Sequence, residues 1–459
     1  MRILLILPDG HIHKVRLGSF VRSMREAPLT LTTLVALSPS DVKVDFSIID
    51  ENVESVPMDY DGDLVGISVL TGTAPRAYEL AEHFRNRGIP VVLGGVHVTI
   101  RPEEAARYAD SIVIGPAEKT WPCLIRDFMA NCLKEKYRDS DPAPRELAGM
   151  PVPRRDLQRS RRYNVSRTVM ATRGCRHACD FCSVPLAFQG YTKRPVDEVV
   201  AEIQNLDGKL MVFNDVSLFD DVDYAKELLL SMIPLKRRWG GLATVSVADD
   251  AELLELLERS GCIYLLIGFE SIRQKALNEI HKGFNRQREF SRQMKALHEY
   301  GISVQGCFIF GFDNDTSTVF QETVDQVNDL KIDIPRYSIL TPYPGTPLFN
   351  RLLAQDRILS VNWNDYDTMH VVFEPKHMTA EELYKGFKWA YQKTFAFSHI
   401  MKRTGFGRFT GLVNFVGNLT YRRFTKRLFT DKRYMAPYTA VSPGELEDEV
   451  MAQPMMSER

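Results

Sequence analysis

The stretch Cys175-Arg176-His177-Ala178-Cys179-Asp180-Phe181-Cys182 has the clearest capacity for chemistry in this sequence. It follows the short apolar run Thr168-Val169-Met170-Ala171, which places three thiols on a loop leaving a strand. Three thiolates at C-x3-C-x2-C spacing can hold three irons of a cubane cluster while the fourth iron keeps an open position. An open metal position is where reaction chemistry takes place. A structural zinc site wants a fourth ligand at similar local spacing, and His177, between the cysteines, is poorly placed to be one. Disulfides fit no better, because the chain has seven cysteines, an odd number, and shows no secretory signal pattern.

With an aromatic residue before its last cysteine, the segment resembles the cluster loop of radical S-adenosylmethionine (SAM) enzymes. The resemblance implies a 4Fe-4S cluster on Cys175, Cys179 and Cys182, with Phe181 among the cofactor contacts. It also implies chelation of the open iron by the amino and carboxylate groups of the SAM methionine moiety.

These residues need elements to position them, and 459 residues are enough for two or three domains. A formal net charge of -1 exerts no global pull toward nucleic acid, and no nucleic-acid partner is expected. The amino-terminal run Ile3-Leu4-Leu5-Ile6-Leu7 is too short for a signal peptide and is expected as a buried first strand. No run reaches transmembrane length. A cytoplasmic location is expected, which suits an oxygen-sensitive cluster.

Strand-like runs at 3–7, 42–49, 64–70, 91–98 and 111–114 alternate with helical patterns at 28–37, 74–86, 102–108 and 118–129. Such alternation predicts a doubly wound parallel sheet, with ligands at the carboxyl ends of its strands. Those ends carry Thr71-Gly72-Thr73, Gly94-Gly95-Val96-His97 and Gly115-Pro116-Ala117-Glu118. Glycines there let backbone approach a ligand and the threonines could bond to it, although ordinary turn chemistry would use the same residues. Together with Pro102-Glu103-Glu104 and Ala109-Asp110, these motifs resemble the cobalamin-binding domain that precedes many radical SAM barrels. The resemblance implies cobalamin contacts from Thr71, Gly72, Thr73, Gly94, Gly95, His97, Gly115 and Glu118. Members that ligate cobalt from below use Asp-x-His-x-x-Gly; here Asp9-Gly10-His11 is followed by Ile12, His13 and Lys14, so His11 is a candidate that lacks the glycine. The α/β architecture expected is a Rossmann-like domain over 1–133, a linker over 134–165, a partial (βα)6 barrel over 166–350, a mainly helical extension over 351–440 and a disordered tail over 441–459. The arginine-rich linker reads as a solvated connector or a basic partner site.

Within the barrel region, strands are expected at 167–172, 209–214, 242–247, 264–269, 303–310 and 336–340, with a helix after each of the first five. The family's SAM-binding positions map onto Asp215, with Asn214 and Ser217 as helpers, for the SAM ammonium group. They also map onto one of Thr244 and Ser246, and onto Glu270 and Ser271 in Gly268-Phe269-Glu270-Ser271, near the ribose or carboxylate; Lys282-Gly283 follows as the family often shows.

The resemblance implies reductive cleavage of SAM to a 5′-deoxyadenosyl radical. The outcome is methyl transfer from methylcobalamin to an unactivated carbon of a hydrophobic or natural-product-like substrate, or an oxidative cyclisation as in the anaerobic protoporphyrin ester cyclase. An external one-electron donor such as flavodoxin or ferredoxin is implied. A methylthiotransferase would bring further amino-terminal cluster cysteines and an RNA-binding domain, and neither is visible. A non-catalytic sensor would leave the triad without a purpose. In the extension, which resembles that of the hopanoid methylases, Trp363, Tyr366, Asp367, His370 and Phe373 read as a pocket wall or as core, and Trp389 reads as core on an apolar helix. Residues 401–434 mix cations with large apolar residues. They could lie on an anionic membrane, receive a lipid substrate, or pack on the barrel with a solvated basic face.

Overall fold

The computed structural model describes residues 1–10, 14–17, 20–23, 26–139, 147–188, 190–404 and 410–439; His11 and the 441–459 tail lie outside them. The run Ile3-Leu4-Leu5-Ile6 forms β1 (Arg2–Leu7), apolar on both sides because both faces of its sheet are covered. After the antiparallel hairpin of β2 (Lys14–Leu17) and β3 (Phe20–Ser23) come β4 (Asp45–Asp50), β5 (Leu64–Ser68), β6 (Val91–Gly94), β7 (Ser111–Ile114) and β8 (Lys136–Arg138). They make one parallel sheet in the order β4-β1-β5-β6-β7-β8. Ile3 and Leu5 pack with Leu31 and Trp121 on one face, and Leu4 and Ile6 join the core on the other. Strand β8 falls inside the stretch expected as linker. Three residues with two exposed charges carry no strand signature, yet they suit an edge, where Tyr137 alone turns inward. The linker arginines are largely paired: Arg154 with Asp156, Arg155 with Glu202 and Arg159 with Glu54.

The second sheet comprises β9 (Thr168–Val169), β12 (Leu210–Phe213), β13 (Arg238–Ala243), β14 (Cys262–Glu270), β15 (Ser303–Phe310) and β16 (Ile334–Ile339). All are parallel, and β9 and β16 are its two edges, so the barrel stays open. The short strands β10 (Thr172–Gly174) and β11 (Tyr191–Lys193) form an antiparallel ribbon bracketing the cysteine loop. Two of the barrel helices begin at capping aspartates: Asp221 accepts from Tyr224 N at 3.1 Å, and Asp250 accepts from Leu253 N at 3.0 Å. Strand β13 ends at Ala243, earlier than expected, because Val245 turns into the core within a 3-10 turn.

The extension adds the helices Pro347–Ala354, Ala380–Thr394, Phe397–Arg403 and Gly411–Leu428. Trp363, Tyr366, His370 and Phe373 are buried in the common core. Trp389, expected in the core, is 38% exposed. The buried stripe of its helix runs through Leu383, Tyr384, Phe387, Ala390, Tyr391 and Thr394, and position 389 is out of phase with it. Among the described residues no helix is long and apolar enough to cross a membrane.

Candidate active site

The cysteine loop is clamped from two directions. On one side Arg176 N donates to Asp220 Oδ2 at 2.6 Å, and Asp220 Oδ1 accepts from Ser217 Oγ at 2.5 Å. On the other, buried Asp180 pairs with Arg351 at 2.7 Å while its carbonyl accepts from Leu348 N at 3.0 Å. The loop is therefore fixed to the segment after β12 and to the helix after β16. Phe181 packs beside it on the core.

The three thiols are half-buried, and burial raises each of them, Cys179 to about 12. Sulfurs on one tetrahedral zinc would lie roughly 3.8 Å apart. Among the described residues, the donor group that does gather within 4.8 Å is Cys175, His177 and Asp220, not the three cysteines. Its imidazole stacks on Phe284 at 4.1 Å and reaches Asp220 at 3.3 Å, so His177 already has partners. The three sulfurs are thus not gathered as one tetrahedral ion would hold them.

Behind the loop, Lys282 Nζ donates to Glu270 Oε1 at 2.6 Å, with both side chains nearly buried. The Lys282 cation also acts on Cys179 and Cys182, favouring their thiolate forms. A Cβ at Gly268 would lie 2.2 Å from Glu270 Oε1 and 2.9 Å from Lys282 Nζ, so a larger residue there would displace the ends of this pair. Glu270 itself has φ +64, an unusual conformation for glutamate. Ser271 Oγ accepts from Arg273 N at 3.1 Å and shapes the turn beyond it.

Asp215, expected at the SAM ammonium group, is buried and bonded within the fold. Its carboxylate accepts from the backbone N–H groups of Ala171 and Thr172 and from Thr172 Oγ1 at 2.7 Å, holding the strand from which the cysteine loop departs. Burial lifts it to about 6 against those donors. Its neighbour Asn214 is exposed and faces the cavity described below. Thr244 and Ser246, one of which was expected to contact SAM, share a 2.6 Å hydrogen bond where the chain passes from β13 into a 3-10 turn.

Between the two sheets lies a cavity of about 400 Å³. Gly94, Gly95, Gly115 and Glu118 line it from the first domain, and Met170, Arg173, Asn214 and Val216 line it from the second. Its inner part reaches Leu5, Gly66, Val92 and Trp121, an apolar slot within the first sheet. Gly95 has φ +102 and a Cβ there would lie 2.8 Å from the Val69 backbone, so no larger residue would leave this mouth open. Arg173 and Glu118 pair across the domains, while Glu118 Oε2 is buried without a partner among the described residues. Bare backbone, an apolar slot and an unsatisfied polar atom fit a large flat cofactor with polar fringes.

Thr71, Gly72, Thr73 and His97 do not line this cavity. The Thr71–Thr73 turn packs on the Trp363–Asp365 turn of the extension. His97 is fully buried, 3.3 Å from Thr71 Oγ1 and 3.3 Å from Glu104 Oε1. Glu104 also accepts from Tyr78 OH at 2.9 Å, Trp363 Nε1 at 3.0 Å and Arg101 Nε at 2.9 Å, joining the first domain to the extension. Glu104, Asp220, Arg351 and Arg173 carry the positioning that sequence reasoning missed. The local signals were the acid beside a helix cap at Asp220-Asp221 and Arg101 three residues before Glu104; the Asp180–Arg351, Glu118–Arg173 and Glu104–Trp363 partners are far apart in the chain.

Residues 169–327 match the Radical SAM superfamily and residues 28–125 the B12 binding domain. The chain is 33% identical over 419 residues to the bacteriochlorophyllide d C-12(1)-methyltransferase of Chlorobaculum tepidum, covering 89% of this chain and 90% of that protein. It is 27% identical over 359 residues to the anaerobic magnesium-protoporphyrin IX monomethyl ester cyclase of Cereibacter sphaeroides, covering 69% of this chain and 57% of that one. The structure of the radical SAM methyltransferase TsrM from Kitasatospora setae with cobalamin and [4Fe-4S] cluster bound superposes with a TM-score of 0.67. That superposition covers 94% of this chain and all of TsrM at 16% identity, a likeness of fold. The cofactors are accordingly SAM, a 4Fe-4S cluster and cobalamin, and a small-molecule substrate and a reductant complete the set. The chain belongs to the radical S-adenosylmethionine superfamily, in its cobalamin-dependent methyltransferase branch.

Proposed function

We propose that the protein methylates an unactivated carbon of a large, flat, hydrophobic small molecule, with chlorin-type macrocycles as the leading substrate class. The observation that carries this is the 33% identity to a bacteriochlorophyllide methyltransferase over nearly the full length of both chains. The cyclase relative shares less identity over little more than half its own length, so methyl transfer is favoured over cyclisation.

When bound, the cofactors supply a one-electron reduction of SAM, a carbon-centred radical and a transferable methyl group. The chain's own residues then have separable tasks. Cys175, Cys179 and Cys182 hold iron, Asp220 and Arg351 keep their loop in place, and Lys282 biases two of the thiols toward thiolate. Glu270 and Ser271 stand at the SAM end of β14. The glycines Gly94, Gly95 and Gly115 leave room for the corrin, with Glu118 and Asn214 offering polar contacts. On the inner face of the second sheet Leu266, Cys307, Ile309 and Ser338 remain partly accessible, while their neighbours Leu265, Phe308 and Ile339 are buried among the helices. That half-open lumen suits a substrate chamber that excludes bulk water. A small donor of the flavodoxin or ferredoxin type reduces the cluster, and the 401–434 segment contacts a membrane surface.

The test is incubation of the reconstituted protein with methyl-labelled SAM and a series of chlorin and non-chlorin acceptors. Label in a chlorin product, absent with Cys179→Ser, is the expected result. Label only in a non-tetrapyrrole acceptor would refute the substrate class.

A further inference from the structure

The helix Gly411–Leu428 crosses the amino-terminal end of the barrel. Its second half packs Tyr421 and Phe424 on the core, but in its first half the faces are reversed and two asparagines point inward. Asn414 donates to Ser303 Oγ and to Asp333 Oδ1, both at 2.9 Å, and Asn418 donates to the Asp333 carbonyl at 2.8 Å. Its outward face carries Leu412, Val413 and Val416, 68%, 69% and 54% exposed, followed along the helix by exposed Arg423 and Lys426. Positions 412, 416 and 423 share one stripe by helical periodicity. A surface helix ordinarily turns its apolar stripe to the core and its polar stripe to water.

The preceding helix widens the patch. Phe397 and Met401 are 56% and 42% exposed, and Phe397 meets the Phe415 ring at 6.4 Å. Single exposed apolar residues are normal on any protein, but five across two adjoining helices form a continuous surface of the kind that marks an interaction site. Charge narrows the partner. Residues 401–430 hold seven Lys and Arg and no Asp or Glu. Arg403 is used inside, bonded to Asn328 and the Thr394 carbonyl, whereas Lys402, Arg423 and Lys426 face solvent. A two-fold contact between copies would set these cations against one another with no acid from this stretch to offset them.

We propose that this face docks the protein on an anionic lipid bilayer, with Leu412, Val413, Val416 and Phe397 entering the acyl boundary and Lys402, Arg423 and Lys426 at the headgroups. Because the helix abuts Ser303 and Asp333, at the starts of β15 and β16, docking leaves the cysteine loop at the opposite strand ends uncovered. The proposal deepens the membrane-contact part of the function above and is independent of the reaction. Vesicle binding is read without turnover, so either can fail alone.

The experiment is co-sedimentation of the full chain with phosphatidylcholine vesicles, with and without phosphatidylglycerol, beside light-scattering mass measurement without vesicles. Wild type is expected to pellet with the anionic vesicles, less with the neutral ones, and to be released by high salt. The double variant Leu412→Glu/Val416→Glu is expected to bind about tenfold more weakly, with unchanged circular dichroism and iron content. The proposal is overturned if wild type stays in the supernatant, if the variant pellets equally, or if wild type is a dimer that the variant splits, which would make the patch a self-contact.

Discussion

Replacing Glu104 by Gln tests the hub that joins the cofactor-binding domain to the carboxyl-terminal extension. Four side chains from two domains donate to this one carboxylate: Tyr78, His97, Arg101 and Trp363. Burial alone would raise its pKa, but the hydrogen bond and charge of His97 and the Arg101 cation outweigh burial and hold it at about 2, against an ordinary 4.5. A depressed carboxylate contributes stability that is fully present above the unfolded value and is lost as pH falls toward the folded one. Here that window runs from about 4.5 down to about 2. A depression of about 2.5 pH units at about 1.36 kcal/mol each is about 3 kcal/mol. Glutamine keeps the size and removes the charge, so E104Q should unfold about 3 kcal/mol more easily at pH 7. The gap to wild type should narrow as pH is lowered from 5 to 3. Denaturant titration followed by tryptophan fluorescence reads this, Trp363 being one of four tryptophans. A variant within about 0.5 kcal/mol of wild type at pH 7, or a gap that does not change with pH, would refute the reasoning.

Two further perturbations separate the cofactor sites. Lys282→Met removes a buried cation that acts on Cys179 and Cys182, so the cluster potential should fall, by on the order of 50–100 mV, and Glu270→Gln should raise it. Anaerobic potentiometric titration checks both, and a potential that is unmoved or higher in K282M contradicts the electrostatic role. Gly115 has φ +82 with no atom within 4 Å of where a Cβ would stand, beside the interdomain cavity. Gly115→Leu should therefore cut bound corrinoid at least about tenfold, a loss of about 1.4 kcal/mol or more in affinity. Iron content should stay unchanged, and corrinoid retained at wild-type stoichiometry would show that the cavity is not the cobalamin site.

The cysteine loop was legible because its information is local: three thiols and an aromatic within eight residues. The parallel sheets were legible for a related reason, since a strand covered on both faces must be apolar throughout, as β1 is. What sequence could not convey was direction at the strand ends. Thr71 and Gly95 end neighbouring strands, yet the Thr71 turn meets the extension and Gly95 meets the cavity, a choice made by where residues 363–365 come to rest. Asp215 illustrates the same limit, because its fold-back onto Ala171 and Thr172 depends on β12 lying beside β9. Trp389 was misjudged by phase, an apolar residue on an apolar helix but off its buried stripe. Short charged β8 gave no signal, being stabilised by its neighbour strand and not by its own composition.

The most direct test of the account is the product balance of the anaerobically reconstituted, cobalamin-loaded protein supplied with SAM, a one-electron reductant and an acceptor. Methyl transfer to carbon through this cofactor set predicts S-adenosylhomocysteine and 5′-deoxyadenosine formed together, in equal amounts with methylated product. Deoxyadenosine alone, from protein that binds no corrinoid, would contradict it.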